Sequence, residues 1–152
     1  MSKSVIEIVP ALPEHAALPL RAADREEVWA VAHLQPQAAL RESIASSAAA
    51  WTGMADGEPV CVFGVVPASI LGGIGIPWML GSDGVVKHQR AFLRRNKRYV
   101  EAMLEMYPLL INFVDARNTI AIRWLRWLGF EIREAKPYGV EGLPFHQFDR
   151  RA

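Results

Sequence analysis

Between Asn118 and Phe130 the chain reads Asn-Thr-Ile-Ala-Ile-Arg-Trp-Leu-Arg-Trp-Leu-Gly-Phe, and these thirteen residues leave little choice of structure. The Asn118 side-chain oxygen can accept an amide hydrogen that the first turn of a helix leaves unpaired. Ala121, Trp124, Leu125 and Leu128 then recur at helical spacing and give that helix one apolar stripe. Gly129 suits the position just past the last turn, where positive φ is cheap only for glycine. Upstream, Leu109-Leu-Ile-Asn-Phe-Val114 reads as a buried strand, followed by the turn Asp115-Ala-Arg-Asn118. Strand, turn, capped helix, glycine and a new strand at Phe130 make an α/β unit.

The rest of the chain supplies the other elements. Ser4 to Val9 alternates around Glu7 as a first strand. Asp24-Arg-Glu-Glu27 has the form of a capping box opening a helix through Val28, Trp29 and Val31. Pro36 suits the first position of a second helix, Gln37 to about Ala48. Ala49 to Ala55 and Pro59 to Val66 flank Asp56-Gly57, a hairpin signal. Gly75 to Leu80 reads as a strand and Val85 to Met106 as one long helix. Phe130 to Arg133 and Pro144 to Asp149 read as closing strands, with Ala11 to Pro19 and Ala135 to Gly142 as surface loops. The order is β-α-α-β-β-β-α-β-α-β-β in one α/β domain, residues 1–152, around a mixed sheet.

Bulk properties exclude several classes. Hydrophobic residues make 51% of the chain and charged ones 22%, the balance of a soluble globular protein. A formal charge of +1 argues against a protein that coats nucleic acid. No run approaches the ~20 apolar residues of a membrane helix, and Val5-Ile-Glu-Ile-Val9 is too short and too charged for a secretory leader. Cys61, the single cysteine, lies in the apolar run Val60-Cys-Val-Phe63 and reads as a buried, inert thiol. No histidine, cysteine and carboxylate set has metal-ligand spacing, so no metal is expected.

The Asn118–Phe130 block resembles the last conserved block of the GNAT (GCN5-related N-acetyltransferase) superfamily, in which Asn, Ala, an aromatic pair and Gly-Phe fall at the spacings of Asn118, Ala121, Trp124-Leu125 and Gly129-Phe130. The element order matches that superfamily's topology from end to end. The resemblance implies a GNAT-like acyl-CoA N-acyltransferase fold, with acetyl-CoA held between two splayed central strands. It also places Leu125 where such enzymes often carry a general-acid tyrosine, and a leucine cannot protonate a departing thiolate.

The family grips the pyrophosphate with a glycine-rich loop leading into the long helix, because a helix N-terminus offers unpaired donors and a positive dipole end. The equivalent stretch, Leu80-Gly-Ser-Asp-Gly-Val-Val-Lys-His-Gln-Arg90, lacks the family's Gln/Arg-x-x-Gly-x-Gly/Ala pattern. Asp83 is the expected N-cap, and its charge would repel a phosphate. Should acetyl-CoA bind, the resemblance assigns it to Leu80, Gly84, Val85, Val86, Lys87, Arg90 and Asn118. The strands Val60 to Val66 and Gly75 to Leu80 carry no carboxylate for a general base; His15 and His33 lack partners at useful spacing, His146 reads as a surface or packing residue and Glu58 as solvated. No catalytic residue is therefore assigned.

Lys87, His88, Arg90, Arg94, Arg95, Lys97 and Arg98 crowd the first half of the long helix, opposite an apolar stripe of Phe92, Leu93, Tyr99, Val100, Met103 and Leu104. Trp127 lies off the stripe of its own helix beside Arg123 and Arg126. Arg94, Arg95, Lys97, Arg98 and Trp127 are the candidates for partner binding, since arginine and tryptophan are enriched at interfaces.

Over roughly residues 70 to 135, Pro77-Trp-Met-Leu-Gly-Ser-Asp83, Phe92-Leu-Arg-Arg95 and Asn112-Phe-Val-Asp-Ala-Arg-Asn118 resemble small tailed-phage proteins related to internal virion protein A. That resemblance implies a GNAT fold kept in a phage context, with a role in virion assembly for some members and no enzyme activity implied by these motifs. With Leu125 and the altered loop, the first expectation is a catalytically degenerate protein without a cofactor that contacts phage structural proteins in the host cytoplasm or the virion. An active acetyl-CoA-dependent N-acetyltransferase with an altered loop is the alternative, and self-association is left open.

Overall fold

The structure, a computed structural model, describes residues 3–69 and 71–152. Seven strands form one sheet in the order β1-β2-β3-β4-β5-β7-β6. They are β1 (Ile6–Pro10), β2 (Ala49–Ala55), β3 (Glu58–Pro67), β4 (Ile74–Gly81), β5 (Leu109–Asp115), β6 (Glu131–Tyr138) and β7 (Leu143–Arg151). Helices α1 (Ala22–Ala32) and α2 (Pro36–Ser46) follow β1; α3 (Asp83–Lys87) and α4 (Gln89–Met106) join β4 to β5, and α5 (Thr119–Trp127) joins β5 to β6. Asp56 and Gly57 turn the β2–β3 hairpin with φ of 51° and 81°, the paired positive values a two-residue turn of this hand needs.

The α5 block forms as its sequence dictates. Asn118 accepts from the Ala121 amide, Gly129 has φ +91°, and the Gly129 and Phe130 amides donate to the Arg126 and Leu125 carbonyls. Those two bonds are the Schellman pattern that ends a helix. Ile122 is buried as well and widens the stripe beside Trp124.

The sheet separates two apolar layers. On one face Phe63, Val65, Leu110 and Val114 pack with Phe92, Val100 and Met103 of α4 and Trp124 of α5. On the other, Val62 and Leu80 pack against Leu18, Leu20 and Leu40. Cys61 is fully buried, and burial pushes its thiol up to about 12, which makes it inert at neutral pH.

Five local expectations need correction. The long helix is interrupted at His88, whose φ of −106° and ψ of 21° are not helical, so α3 and α4 are separate. Ser82, not Asp83, caps α3: its Oγ accepts from the Gly84 amide at 3.3 Å. Asp24 is no N-cap either; α1 starts after Arg21, and the Asp24 carboxylate points instead to the sheet. Ala135 to Tyr138 belong to β6, because pairing with β7 continues to Tyr138–Leu143 past a register shift between Ile132 and Ala135. Ala11 to Pro19 similarly contains a 3-10 turn, Pro13–Ala17.

Candidate active site in the fork between the central strands

β4 and β5 run parallel and pair only at Ile74–Leu109 and Gly75–Leu110. Beyond that point the ladder stops and the strands form a fork. Alternation fixes which backbone groups face it. Ser82 N donates to Val60 O and Ala68 N to Ile74 O, so even-numbered residues of β4 turn towards β3. Pro77, Met79 and Gly81 therefore turn theirs into the fork.

Nearly every donor there is already matched. Pro77 has no N–H to lose, and its carbonyl accepts from Asn112 Nδ2 at 2.7 Å. Asn112 Oδ1 in turn accepts from the Phe113 amide at 2.8 Å, so one side chain bridges both strands. At the open end Gly81 N donates to Asp24 Oδ2 and Gly81 O accepts from Arg21 N, both at 2.8 Å. Asp115 N donates to Glu27 Oε1 at 2.8 Å. Met79 turns both its N–H and its C=O into the fork, and its N–H is the one fork donor without a protein partner among the described residues.

Helix α1 brings two carboxylates to the fork. Asp24 is 4% exposed, pairs with Arg21 at 3.0 Å and accepts from Asn118 Nδ2. Asn118 Oδ1 accepts from Arg21 Nη2 at 2.8 Å, and the guanidinium lies 5.4 Å from the Trp124 ring centre. Burial raises the Asp24 carboxyl above its ordinary range, although Arg21 and the Gly81 amide pull it back. Burial pushes Glu27 up to about 7, opposed by the Asp115 amide and helped by the charge of Asp24. Glu27 Oε2 has no protein partner among the described residues.

A cavity of about 410 Å³ passes through the fork, bounded by Glu27 and Val28 on one face of the sheet and by Asn96, Tyr99 and Leu125 on the other. Arg21 Nε and Asn96 Oδ1 are buried on its wall with no hydrogen-bond partner. Buried polar atoms are rarely left this way, so each asks for a ligand group or water.

Solved structures share this fold over nearly their full length. Ard1 from Thermoplasma volcanium superposes with a TM-score of 0.72 at 13% identity, covering 97% of each chain. A GCN5-related N-acetyltransferase from Kribbella flavida gives 0.69 at 16% identity, over 97% of this chain and 98% of that one. An aminoglycoside acetyltransferase in complex with coenzyme A gives 0.67 at 16%, over 97% and 95%. This is the GNAT acyltransferase fold. No family model matches the sequence, and no curated protein does.

Within the GNAT fold the sequence-selected residues fall into three places. Asn118 lies inside the fork, 3% exposed, its side chain committed to Arg21, Asp24, Glu27 and the Ala121 amide. Leu80, Gly84, Val85, Val86, Lys87 and Arg90 run from the end of β4 into α4. Leu80 and Val85 are buried in the two apolar layers, and the Gly84 and Val85 amides are taken by Ser82. Lys87 and Arg90 are exposed. Arg94, Arg95, Lys97, Arg98 and Trp127 lie on the outer surface, where Lys97 Nζ sits 4.2 Å from the Trp127 ring centre. His15 bonds Thr52 Oγ1, His33 bonds Glu141 and His146 bonds the Arg133 carbonyl, so these histidines have structural partners. Among the described residues no three His, Cys, Asp or Glu side chains gather as a metal site.

Sequence reasoning missed Asp24, Glu27, Asn96 and Asn112. Asn96 had a readable signal, because it sits four residues from both Phe92 and Val100 on the inward stripe of α4. A polar residue on an apolar stripe is the informative exception.

Proposed function

We propose that the protein is an N-acyltransferase that draws an acyl group from a thioester and uses Glu27 as its general base. The observation that carries this reading is one cavity lined by both the Glu27 carboxyl, with its free Oε2, and the single open backbone donor of the fork at Met79. A strongly perturbed carboxyl in a cleft is a functional-site signature with a physical cause.

The residues present fit the arm of a carrier such as coenzyme A better than its diphosphate. The fork has an unspent N–H at Met79 and an unpaired polar atom on Arg21, matching an arm with carbonyl and amide groups. The Gly84 and Val85 amides are taken by Ser82, so phosphates would fall chiefly to the side chains of Lys87 and Arg90. When bound, the carrier supplies a thioester carbonyl open to attack by an amine. Glu27 Oε2 removes the proton from the attacking amine, and the Met79 N–H stabilises the oxygen as negative charge develops on it. Leu125 supplies no proton to the leaving thiol. A thiolate with a solution pKa near 8.5 leaves tolerably at neutral pH, and the cost is rate. Thiol release from acetyl-CoA and longer acyl-CoA donors, measured with a panel of primary amines, tests this. Turnover should rise through about pH 7 and fall about 10²- to 10⁴-fold in Glu27→Gln; an unchanged rate in that variant removes Glu27 from the mechanism.

A second reading concerns the outer surface. Arg94, Arg95, Lys97 and Arg98 are exposed together on α4, and Trp127 beside them is 48% exposed. A cationic face around an aromatic anchor suits an acidic protein surface, and we propose a phage structural protein as the partner, as expected for virion assembly. The two readings use different surfaces and do not exclude one another. Co-purification with particles that is lost in Lys97→Glu/Arg98→Glu supports the second; absence from particles and their precursors removes it.

A further inference from the structure

The cavity does not end at the fork, where the carrier arm would lie, but opens beneath α4 and α5 into more space than an acetyl group needs. It reaches from Leu80 and Asn118 at the open end of the fork to Val66, Pro77 and Asn112 at its closed end. On strand geometry of about 3.3 Å per residue, the three steps from Leu80 back to Pro77 alone span about 10 Å. Its 410 Å³ compares with about 150 Å³ for an apolar cavity that admits a benzene ring. The side under α4 and α5 is walled by Phe63, Tyr99, Val100, Met103, Leu128 and Phe148. Two small side chains keep that space open. Asn96 stands on the inward stripe where its neighbours are Phe92 and Val100, and Ala121 faces the cavity from α5.

We propose that this space is an acyl pocket, so that the donor carries a medium-length chain rather than acetyl, with Asn96 making the polar contact inside it. The proposal rests on the acyltransferase reading for its thioester, but the pocket itself is a property of the fold. Asn96 is 5% exposed, its Oδ1 has no partner, and its Nδ2 reaches only the Met79 sulfur at 3.9 Å. A packing role would favour leucine at such a position, since an apolar side chain leaves no polar atom unpaired. The amide is therefore placed to meet a polar group of the donor where the chain enters the apolar space. A small acyl group would leave most of the Phe63, Met103 and Phe148 wall uncovered.

Isothermal titration of the full chain with acetyl-CoA, octanoyl-CoA and free octanoic acid tests the pocket without requiring turnover. The expected result is octanoyl-CoA binding at least tenfold tighter than acetyl-CoA. Asn96→Leu should raise the melting temperature and yet weaken octanoyl-CoA at least tenfold, a combination that a structural role for Asn96 does not produce. Acetyl-CoA binding as tightly as octanoyl-CoA, or Asn96→Leu folding with octanoyl binding intact, overturns the proposal. Octanoic acid binding in an Asn96-dependent way while neither thioester binds would support the pocket and sink the acyltransferase reading. No binding by any of the three overturns both.

Discussion

Asp24 Oδ2 accepts the Gly81 amide at 2.8 Å, tying the first turn of α1 to the open end of β4 across 57 residues of sequence. The same carboxylate pairs with Arg21 and reaches Asn118 through its other oxygen. One helix therefore takes over the backbone donors that the departing β5 leaves behind.

Asp24→Ala breaks this clasp and strands the Arg21 guanidinium, which is 6% exposed, without its carboxylate. Removing one partner of a buried pair costs about 3–5 kcal/mol. Urea denaturation at pH 7 should show a loss of that order. A loss below about 1 kcal/mol would mean that the pair contributes nothing beyond an exposed one.

Asn112→Ala removes both bonds of the side chain that bridges the fork, to Pro77 O and from Phe113 N. Unpairing those half-buried groups costs at most about 1–3 kcal/mol. Hydrogen exchange localises the effect: the Phe113 amide should lose protection well before the amides of β3. Uniform loss across the sheet would contradict a local role for Asn112.

Ser82→Ala should destabilise the protein by about 1 kcal/mol through loss of the α3 cap. Asp83→Ala, at an exposed first-turn position, should cost only a few tenths, the scale of a surface charge at a helix start. Thermal melting of the pair checks this, and the reverse order would restore Asp83 as the cap.

The elements legible in the sequence were those whose determinants are close in the chain. Asn118, Ala121, Gly129 and Phe130 fix α5 within thirteen residues, and Asp56-Gly57 fixes its hairpin without help. The fork chemistry was hidden because its partners are remote: Glu27 meets Asp115 at a separation of 88 residues, and Asn118 meets Asp24 at 94. Read locally, Asp24 and Glu27 have capping-box spacing, and only the sheet reveals that both turn inward. The break at His88 was invisible for a different reason. Periodicity continues through it, and residues on either side, Val85 and Phe92, are both buried.

Glu27 gives the protein an opposed dependence on pH. Its carboxyl titrates at about 7 in the folded state against an ordinary 4.5. Between those values the native protein holds a proton that the unfolded chain has released, so stability falls as pH rises from about 4.5 and levels off above about 7. The shift corresponds to roughly 3 kcal/mol across that window. Asp24, raised by burial as well, adds a slope of the same sign, so the informative quantity is the difference between wild type and Glu27→Gln. The glutamine keeps an oxygen for the Asp115 amide but carries no titrating proton. Melting temperatures measured from pH 5 to 8 should drop for wild type and stay flatter for Glu27→Gln; parallel curves would show that Glu27 ionises normally. Because a general base works only when ionised, the same titration that weakens the fold switches the proposed chemistry on.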